Sequence, residues 1–267
     1  MILEAFGLPV ILDEKKNELI LQDNLFCQSN NSKNFGKMKN LVYDPESTDD
    51  NERCYIFYQN IWEKNKQSIF EKNNITNGIT ILLPGTMGYE CRKNSGHYHG
   101  YSEGHTIPFP EVYEVLCGEA VFLIQESHNF DHPEEELEVE SLKAVFLKKG
   151  EKVIIPPFCA HCVINVGEGP MVFGNLASPC PLHYEPIQKK YGFAVYVLKV
   201  ENQLVFVPNE HYKHVPRVEI LKPMEYPELG ISFHRPLYTA YTENPEKFEF
   251  LYEPEKYLTI INNLLER

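Results

Sequence analysis

The chain has 267 residues, 43% of them hydrophobic, which is enough for one large domain with a sizeable core. Its formal net charge of −13 argues against binding to nucleic acid or to anionic membrane surfaces, because no strong basic patch offsets it. The 16 Phe, 16 Tyr and 19 Pro, with short apolar runs between them, favour β-structure with many turns.

The first residues do not have the pattern of a signal peptide, because Glu4 occupies the place of a basic flank and Asp13 and Glu14 interrupt the apolar stretch. No run approaches the roughly 20 apolar residues of a transmembrane helix. The seven cysteines are scattered and odd in number, which does not suggest a disulfide framework. We therefore expect a soluble cytoplasmic protein.

Residues 1–50 are polar and rich in turns, so we expect an N-terminal arm of loops or short strands. Residues 53–72 place Ile56, Trp62 and Phe70 near helical spacing, which predicts a helix in part of this segment.

From residue 77 the pattern changes to short strands. The segment "GITILLPG" is a strand ended by Pro-Gly, and four later segments predict β-hairpins with turns at residues 117–119, 149–151, 167–169 and near 201–202. Strands at this spacing indicate an antiparallel sandwich or barrel. The acidic segment 126–140 is predicted to be an exposed loop.

The tail from residue 208 is irregular and rich in Pro and Tyr. In "PEKYLTIINNLLER", Pro254 suits a first helical turn, and Leu258, Ile261 and Leu265 fall on one face, which predicts a terminal helix. The predicted organisation is an N-terminal arm (1–50), a barrel (51–207) and a C-terminal extension (208–267).

The most informative residues are His97, His99, Glu111 and His161. Residues two apart in a strand point the same way, so His97 and His99 are expected to present two imidazoles to one face. Glu111 opens the next strand, and His161 begins a later one after "IIPPFCA". Three imidazoles and one carboxylate suit a divalent transition metal with positions open for water or substrate. Ordinary core or surface histidines are the alternative, which the combination H-x-H…E…PP-x-x-A-H disfavours.

The segments "PGTMGYECRKNSGHYHG", "EVYEVLCGEA" and "VIIPPFCAHCVINVGEGPMVF" resemble the cupin-type phosphoglucose isomerases best known from archaea. The similarity spans roughly residues 77–184. It implies a mostly β fold, a cupin double-stranded β-helix (jelly-roll barrel) with N- and C-terminal extensions including a few helices. It also implies a homodimer with one divalent metal ion per chain (Fe, Mn, Ni, Co or Zn), which interconverts glucose 6-phosphate and fructose 6-phosphate in glycolysis and gluconeogenesis.

The resemblance assigns roles by position. The metal ligands it implies are His97, His99, Glu111 and His161. The catalytic residues it implies are Glu111, which could be a ligand, the base or both, and Tyr113. The substrate-binding residues it implies are Tyr55, Thr80, Gly96, His183 and Tyr184.

Two departures from the family pattern concern the substrate. The spacer 100–110 between the second His and the Glu is longer and contains His105. Asn94-Ser95 stands where the family has Thr-Lys, which removes a cationic donor for the phosphate. Arg92 or Lys93 could substitute for it.

Other candidates have simpler explanations. His105, in the spacer, is expected to be a surface residue rather than a ligand. Cys159 and Cys162 flank His161 as C-x-x-C, but without a second such pair they are expected to be buried free thiols. His128 and His132 lie in the acidic segment and are expected to be exposed.

Three other functions stay open, since one fold hosts many chemistries. They are a metal cupin that acts on another sugar, an Fe-dependent dioxygenase, and a non-catalytic sugar-binding cupin. The missing Lys favours the first, and the Tyr- and Thr-rich pocket argues against the second. The intact set of four ligands argues against the third.

Overall fold

A computed structural model describes residues 1–3 and 6–265, and β-strands dominate it. The strands are β1 (Ile11–Asp13), β2 (Glu18–Ile20), β3 (Leu25–Asn34), β4 (Arg53–Glu63), β5 (Thr76–Leu82), β6 (Thr86–Met87), β7 (Glu90–Cys91), β8 (Tyr98–His99), β9 (Glu111–Cys117), β10 (Glu119–Glu126), β11 (Ser141–Lys148), β12 (Lys152–Ile155), β13 (Cys159–Asn165), β14 (Met171–Ala177), β15 (Leu182–His183), β16 (Val195–Val200), β17 (Gln203–Pro208) and β18 (Val218–Leu221).

The helices are short. The α-helices are α1 (Gln67–Lys72), α2 (Glu185–Lys189), α3 (Leu237–Glu243) and α4 (Leu258–Ile261). Short 3-10 helices cover Phe35–Lys37, Lys39–Leu41, Lys64–Lys66, Pro227–Leu229, Pro245–Leu251 and Pro254–Tyr257. Within the described ranges, no helix has the length and apolar content needed to span a bilayer.

Two sheets form the barrel. One has the strand order β12-β9-β14-β5-β4-β3, and the other has the order β13-β10-β11-β18. The start of β8 extends the second sheet beside β13, through a bridge between His97 and His161. From β9 to β14 the chain crosses repeatedly between the sheets, which is the jelly-roll connectivity. The prediction of a mostly β jelly-roll barrel is therefore confirmed.

Three of the four predicted hairpins are wrong. The strand pairs β9 and β10, β11 and β12, and β13 and β14 each lie in different sheets, so their turns are crossovers. Gly118 and Gly150 have φ of 80° and 87°, which lets the chain bend sharply at two of these turns. Strand pairing there is decided by packing between the sheets rather than by the local turn. The fourth prediction is confirmed: β16 and β17 pair directly, and Glu201 and Asn202 both have positive φ, as a tight hairpin requires.

The six-stranded sheet buries apolar side chains on both of its faces. On the inner face, Tyr113 and Phe173 pack edge-on against Phe122 of the second sheet. The outer face carries residues such as Ile81, which share a core with Phe248 of the C-terminal segment. Alternate residues of one strand therefore serve two cores, and only the inner face can line a cavity.

Both terminal segments share sheets with the barrel. Strand β3 pairs along β4, and β18 pairs in parallel with β11. The boundaries near residues 50 and 207 stay a prediction. The acidic segment 126–140 is a largely exposed connection between β10 and β11, as predicted, although Phe130 and Val139 are buried.

The helix predictions are confirmed only in part. Residues 53–63 form β4, because pairing with β3 and β5 outweighs the helical spacing, and only α1 is helical in that segment. The terminal helix begins with the 3-10 turn at Pro254 and continues as α4. Its buried residues are Ile261 and Leu264, whereas Leu258 is 38% exposed, so the predicted face was partly wrong. Residues 266–267 of the predicted helix lie outside the described residues.

Candidate metal centre and substrate cavity

The inner face of the six-stranded sheet opens onto a cavity of about 490 Å³. This volume is in the usual range for small-molecule sites. The side chains around it include His97, His99, Glu111, Tyr113, Asn175 and Tyr184. Most of its lining is polar or aromatic, as expected for a hydroxylated ligand.

Four side chains converge at the inner end of this cavity, namely His97, His99, Glu111 and His161. One nitrogen or oxygen atom from each lies within 4.8 Å of those of the others. Glu111 Oε2 lies 3.1 Å from the Nε2 atoms of both His99 and His161. The His97 and His99 rings stack with their centroids 5.3 Å apart, so the two residues share a face as the H-x-H spacing predicts.

Two backbone contacts explain how these imidazoles are held. His161 N–H donates to His97 O over 3.2 Å, which fixes the two ligand-bearing segments against each other. His99 Nδ1 lies 2.9 Å from Phe109 O, so the nitrogen that faces this carbonyl must carry its proton. His99 Nε2 is thereby left to face Glu111, as in protein metal sites where a second hydrogen bond orients each histidine.

Electrostatics inside the cluster favour metal binding by His97 and Glu111. Burial, together with the neighbouring His161 and His99, holds the pKa of His97 well below its usual value, so this imidazole is neutral. Burial alone would raise the pKa of Glu111, but hydrogen bonds from His161 and His99 hold it well below its usual value, so this carboxyl is ionised. Neutral imidazole and ionised carboxylate are the forms that bind a cation.

His99 differs from His97. Burial acts to lower its pKa, but hydrogen bonds with the Cys180 thiol and the Glu111 carboxylate raise the pKa of His99 to about 10. A cation bound at this site would therefore displace a proton from His99.

The donor set fits a divalent transition metal. Ligands that share one such cation at about 2.0–2.2 Å lie within roughly 4.4 Å of one another. The candidate atoms here, within 4.8 Å of one another, need only a small contraction to meet that condition. Three imidazoles and one carboxylate are also the donor types that suit Mn, Fe, Co, Ni and Zn.

Glu111 is held on its second oxygen as well. Asn175 Nδ2 donates to Glu111 Oε1 over 2.7 Å, from the neighbouring strand β14. Gly78 lies opposite Asn175 in β5, where a Cβ would be 2.8 Å from the Asn175 amide oxygen, so glycine leaves room for this side chain. The sequence analysis missed Asn175, because only the pairing of β9 with β14 brings it to Glu111.

Two tyrosines stand beside the imidazoles. Tyr113 Oη lies 2.8 Å from His161 Nε2, and the Tyr184 ring lies 5.2 Å from the His97 ring. Burial first, and then the Glu111 carboxylate, raise the pKa of Tyr113 well above its usual value. The Tyr113 phenol is therefore a neutral hydrogen-bond donor near the cluster.

Further along the inner face, Tyr55 and Thr80 also line the cavity. Tyr55 Oη lies 3.3 Å from Ser95 Oγ, and burial raises the pKa of Tyr55 to about 12. Gly96 follows Ser95 with φ of 67°, and a Cβ there would lie 2.8 Å from His161 O. Glycine is thus required for this segment to pass so close to the ligand strand.

The structure does not bring His183 to this cluster. Its ring packs edge-on against Phe130, and it lies beside Gly100, on the side of β15 away from the imidazoles. His105 forms an ion pair with Glu255 of the C-terminal segment, with 3.1 Å between Nδ1 and Oε2, and it lies outside the four-residue cluster.

The remaining sequence candidates behave as predicted. Cys159 and Cys162 are buried free thiols, and burial raises the pKa of Cys162 to about 12. His128 and His132 are each 51% exposed, next to carboxylates of the acidic loop.

Arg92 and Lys93 do not enter the cavity. Arg92 pairs with Glu52 and donates to the Arg53 carbonyl over 2.8 Å, and Lys93 forms a buried ion pair with Glu90. The suggestion that either residue replaces the absent lysine is therefore not supported by their contacts. Asn94 likewise has a structural contact, since its side-chain oxygen accepts from Val163 N–H over 2.8 Å.

Comparisons with known proteins agree with these features. The family model described as Glucose-6-phosphate isomerase (GPI) matches residues 32–215. The glucose-6-phosphate isomerase of Pyrococcus furiosus is 27% identical over 144 residues, which are 54% of this chain and 67% of the relative. The enzyme of the same name from Thermococcus litoralis is 29% identical over 144 residues, with the same coverage. The matches thus span about two thirds of these relatives.

Likeness to solved structures is weaker. An oxalate oxidase in complex with glycolate has a TM-score of 0.31 and 18% identity, covering 44% of this chain and 49% of that one. An oxalate decarboxylase of Bacillus subtilis has a TM-score of 0.32 and 16% identity, covering 46% and 25%. Scores this low support no conclusion, whereas the family match covers more than half of the chain: this protein belongs to the glucose-6-phosphate isomerase family.

Proposed function

We propose that this protein interconverts glucose 6-phosphate and fructose 6-phosphate in the cavity of its barrel. The observation that carries the proposal is the convergence of three imidazoles and a carboxylate on one point of that cavity, in a chain of this family. His97, His99, Glu111 and His161 would hold the divalent cation. When bound there, such a cation would act as a Lewis acid on the carbonyl and hydroxyl oxygens of the open-chain sugar.

Glu111 is the proposed proton acceptor. Aldose–ketose exchange moves a proton between C1 and C2, which needs an ionised group beside both carbons. Glu111 is buried and ionised, and Asn175 holds its Oε1 atom in place. The carboxylate is therefore positioned before the substrate arrives, which lowers the entropic cost of the step.

Tyr113 is the proposed donor to a substrate oxygen. Its phenol is buried next to His161 and keeps its proton, so it can stabilise negative charge that develops on O1 or O2. Tyr184, which packs on His97, would cover the reacting end of the sugar.

The phosphate end is proposed to lie near Tyr55, Thr80 and the turn at Ser95 and Gly96. These residues offer hydroxyl groups on the same cavity wall, at the far side from Glu111 in the sheet order. Binding energy from this non-reacting end would orient C1 and C2 beside Glu111. From the resemblance we also expect a homodimer and a cytoplasmic role in glycolysis and gluconeogenesis.

An assay of both reaction directions, before and after chelation, tests the proposal. We expect isomerisation of glucose 6-phosphate that a chelator abolishes and that one of Fe, Mn, Ni, Co or Zn restores. Metal analysis of the purified protein should give one equivalent per chain. Protein that binds one metal per chain and leaves glucose 6-phosphate unchanged would contradict the proposal, and so would full activity of metal-free protein.

A further inference from the structure

Lys33 reaches the cavity from an unexpected part of the chain. It lies in β3, at the edge of the six-stranded sheet, directly opposite Tyr55 of β4. Its ammonium group donates to Ser95 Oγ over 2.6 Å, and Ser95 Oγ in turn lies 3.3 Å from Tyr55 Oη. An ammonium and two hydroxyl groups therefore meet at one point of the cavity rim.

The same ammonium also lies near the metal cluster. Lys33 Nζ is 5.8 Å from the centre of the Tyr184 ring, and that ring packs against His97. The charge of Lys33 is one of the influences that lower the pKa of His97. Tyr184 thus contacts both the candidate ligand and the ammonium, and Lys33 and the cluster border one space.

The charge of Lys33 lacks a carboxylate partner within the described ranges, unlike those of Arg92 and Lys93. Lys33 is half-buried, and burial, followed by repulsion from Lys37, lowers its pKa. A partly desolvated ammonium without a counter-charge is costly, and an anionic ligand at this point would relieve that cost.

We propose that Lys33 is the cation that selects phosphorylated over unphosphorylated sugars in this cavity, by binding the phosphate together with Ser95 and Tyr55. The inference rests on the proposed function and adds to it a residue that compensates for the absent lysine beside Gly96. Lys33 acts on binding and orientation, at the end of the six-carbon chain away from C1 and C2.

The test uses the metal-loaded enzyme and two inhibitors without a carbonyl, sorbitol 6-phosphate and sorbitol. The variants are Lys33→Met, Lys33→Gln, which can still hydrogen-bond to Ser95, and Lys33→Arg, which keeps the charge. Lys37→Met is the matched control, because it removes a nearby exposed lysine that has no contact with Ser95.

We expect Lys33→Met and Lys33→Gln to raise the inhibition constant of sorbitol 6-phosphate and the KM of glucose 6-phosphate by about tenfold to a hundredfold, as loss of a hydrogen bond to a charged group does. The inhibition constant of sorbitol should change less than twofold in both variants. Lys33→Arg should restore most of the affinity for the phosphorylated inhibitor, and Lys37→Met should resemble the wild type.

The outcomes separate this inference from the proposed function. Wild-type turnover of glucose 6-phosphate, with Lys33→Gln binding both inhibitors as the wild type does, overturns only the role of Lys33. Equal weakening of both inhibitors, or rescue by Gln as complete as by Arg, also overturns it, since Lys33 would then be structural. A wild-type enzyme without turnover or binding of sorbitol 6-phosphate overturns both.

Discussion

Asn175 donates a hydrogen bond to the oxygen of Glu111 that faces away from the histidines, while the other oxygen lies 3.1 Å from two imidazole nitrogens. The carboxylate is therefore fixed at both ends. Its orientation depends on a neutral amide from a neighbouring strand, which adds no charge to the site.

We expect Asn175→Ala to lower metal affinity or kcat/KM by about tenfold to a hundredfold, as is typical when a residue that orients a metal ligand is removed. Asn175→Asp should be worse, because a second carboxylate would repel Glu111. Metal titration and steady-state kinetics measure both effects. Asn31→Ala, at an exposed position of β3, is the control. Wild-type metal affinity and kinetics in Asn175→Ala would exclude this positioning role.

Glu111→Gln is expected to abolish turnover of sugar phosphate. The amide keeps the size of the side chain but cannot accept a proton from carbon, and loss of a general base costs about 10²–10⁴-fold in rate. The kcat for glucose 6-phosphate, measured with saturating metal, should fall at least that far. Glu119→Gln, an exposed carboxyl at the start of β10, should retain full activity. If Glu111→Gln also kept near-full activity, Glu111 would have no part in the mechanism.

The ligand cluster was predictable from the sequence, whereas its supports were not. His97 and His99 share a face because strand side chains alternate, a rule that needs no knowledge of the rest of the fold. Asn175 and Lys33 reach the site only through cross-strand pairing, with Tyr113 and Tyr55 respectively. Strand β3, "LFCQSNNSKN", is so polar that its composition favours a loop, and its pairing with β4 is what makes it a strand.

The same limit explains the wrong hairpins. A turn containing Gly118 permits either a hairpin or a crossover, and the choice depends on which sheet buries the following strand. That information lies in contacts such as the packing of Phe122 against Tyr113, which are distant from the turn.

A buried ion pair connects the barrel to the C-terminal segment. Glu114 and Lys152 lie 3.0 Å apart, each 1% exposed, and Glu114 Oε2 also accepts from Leu237 N–H at the start of α3. Because removing one member leaves the other charge buried and unpaired, we expect Glu114→Gln to lower the free energy of unfolding by about 3–5 kcal/mol. Urea denaturation measures the change.

The double variant Glu114→Leu/Lys152→Met is the informative comparison. With both charges replaced by apolar groups, only the contact to Leu237 is lost, so the double variant should be more stable than either single variant. A double variant as unstable as the sum of the single variants would mean that the two charges do not interact.

Glu255 ties the long spacer 100–110 to the C-terminal segment. Its Oε1 accepts from Thr106 N–H over 2.8 Å, and its Oε2 lies 3.1 Å from His105 Nδ1. Burial opposes ionisation, but these hydrogen bonds lower the pKa of Glu255 to about 2. A carboxyl whose pKa is lower in the folded protein stabilises it fully above the unfolded value, near 4.5, and loses this effect as the pH falls through about 2.

We therefore expect the spacer to stay tethered at neutral pH and to be released only in acid. A ¹³C NMR titration of the Glu255 carboxyl should have its midpoint near 2, and a midpoint near 4.5 would contradict the tether. At pH 7, Glu255→Gln should speed cleavage after the exposed Glu103 by a glutamate-specific protease, whereas Glu246→Gln, at another exposed position, should not. Because the spacer connects His99 to Glu111, release should also raise the KM for glucose 6-phosphate while the melting temperature changes little.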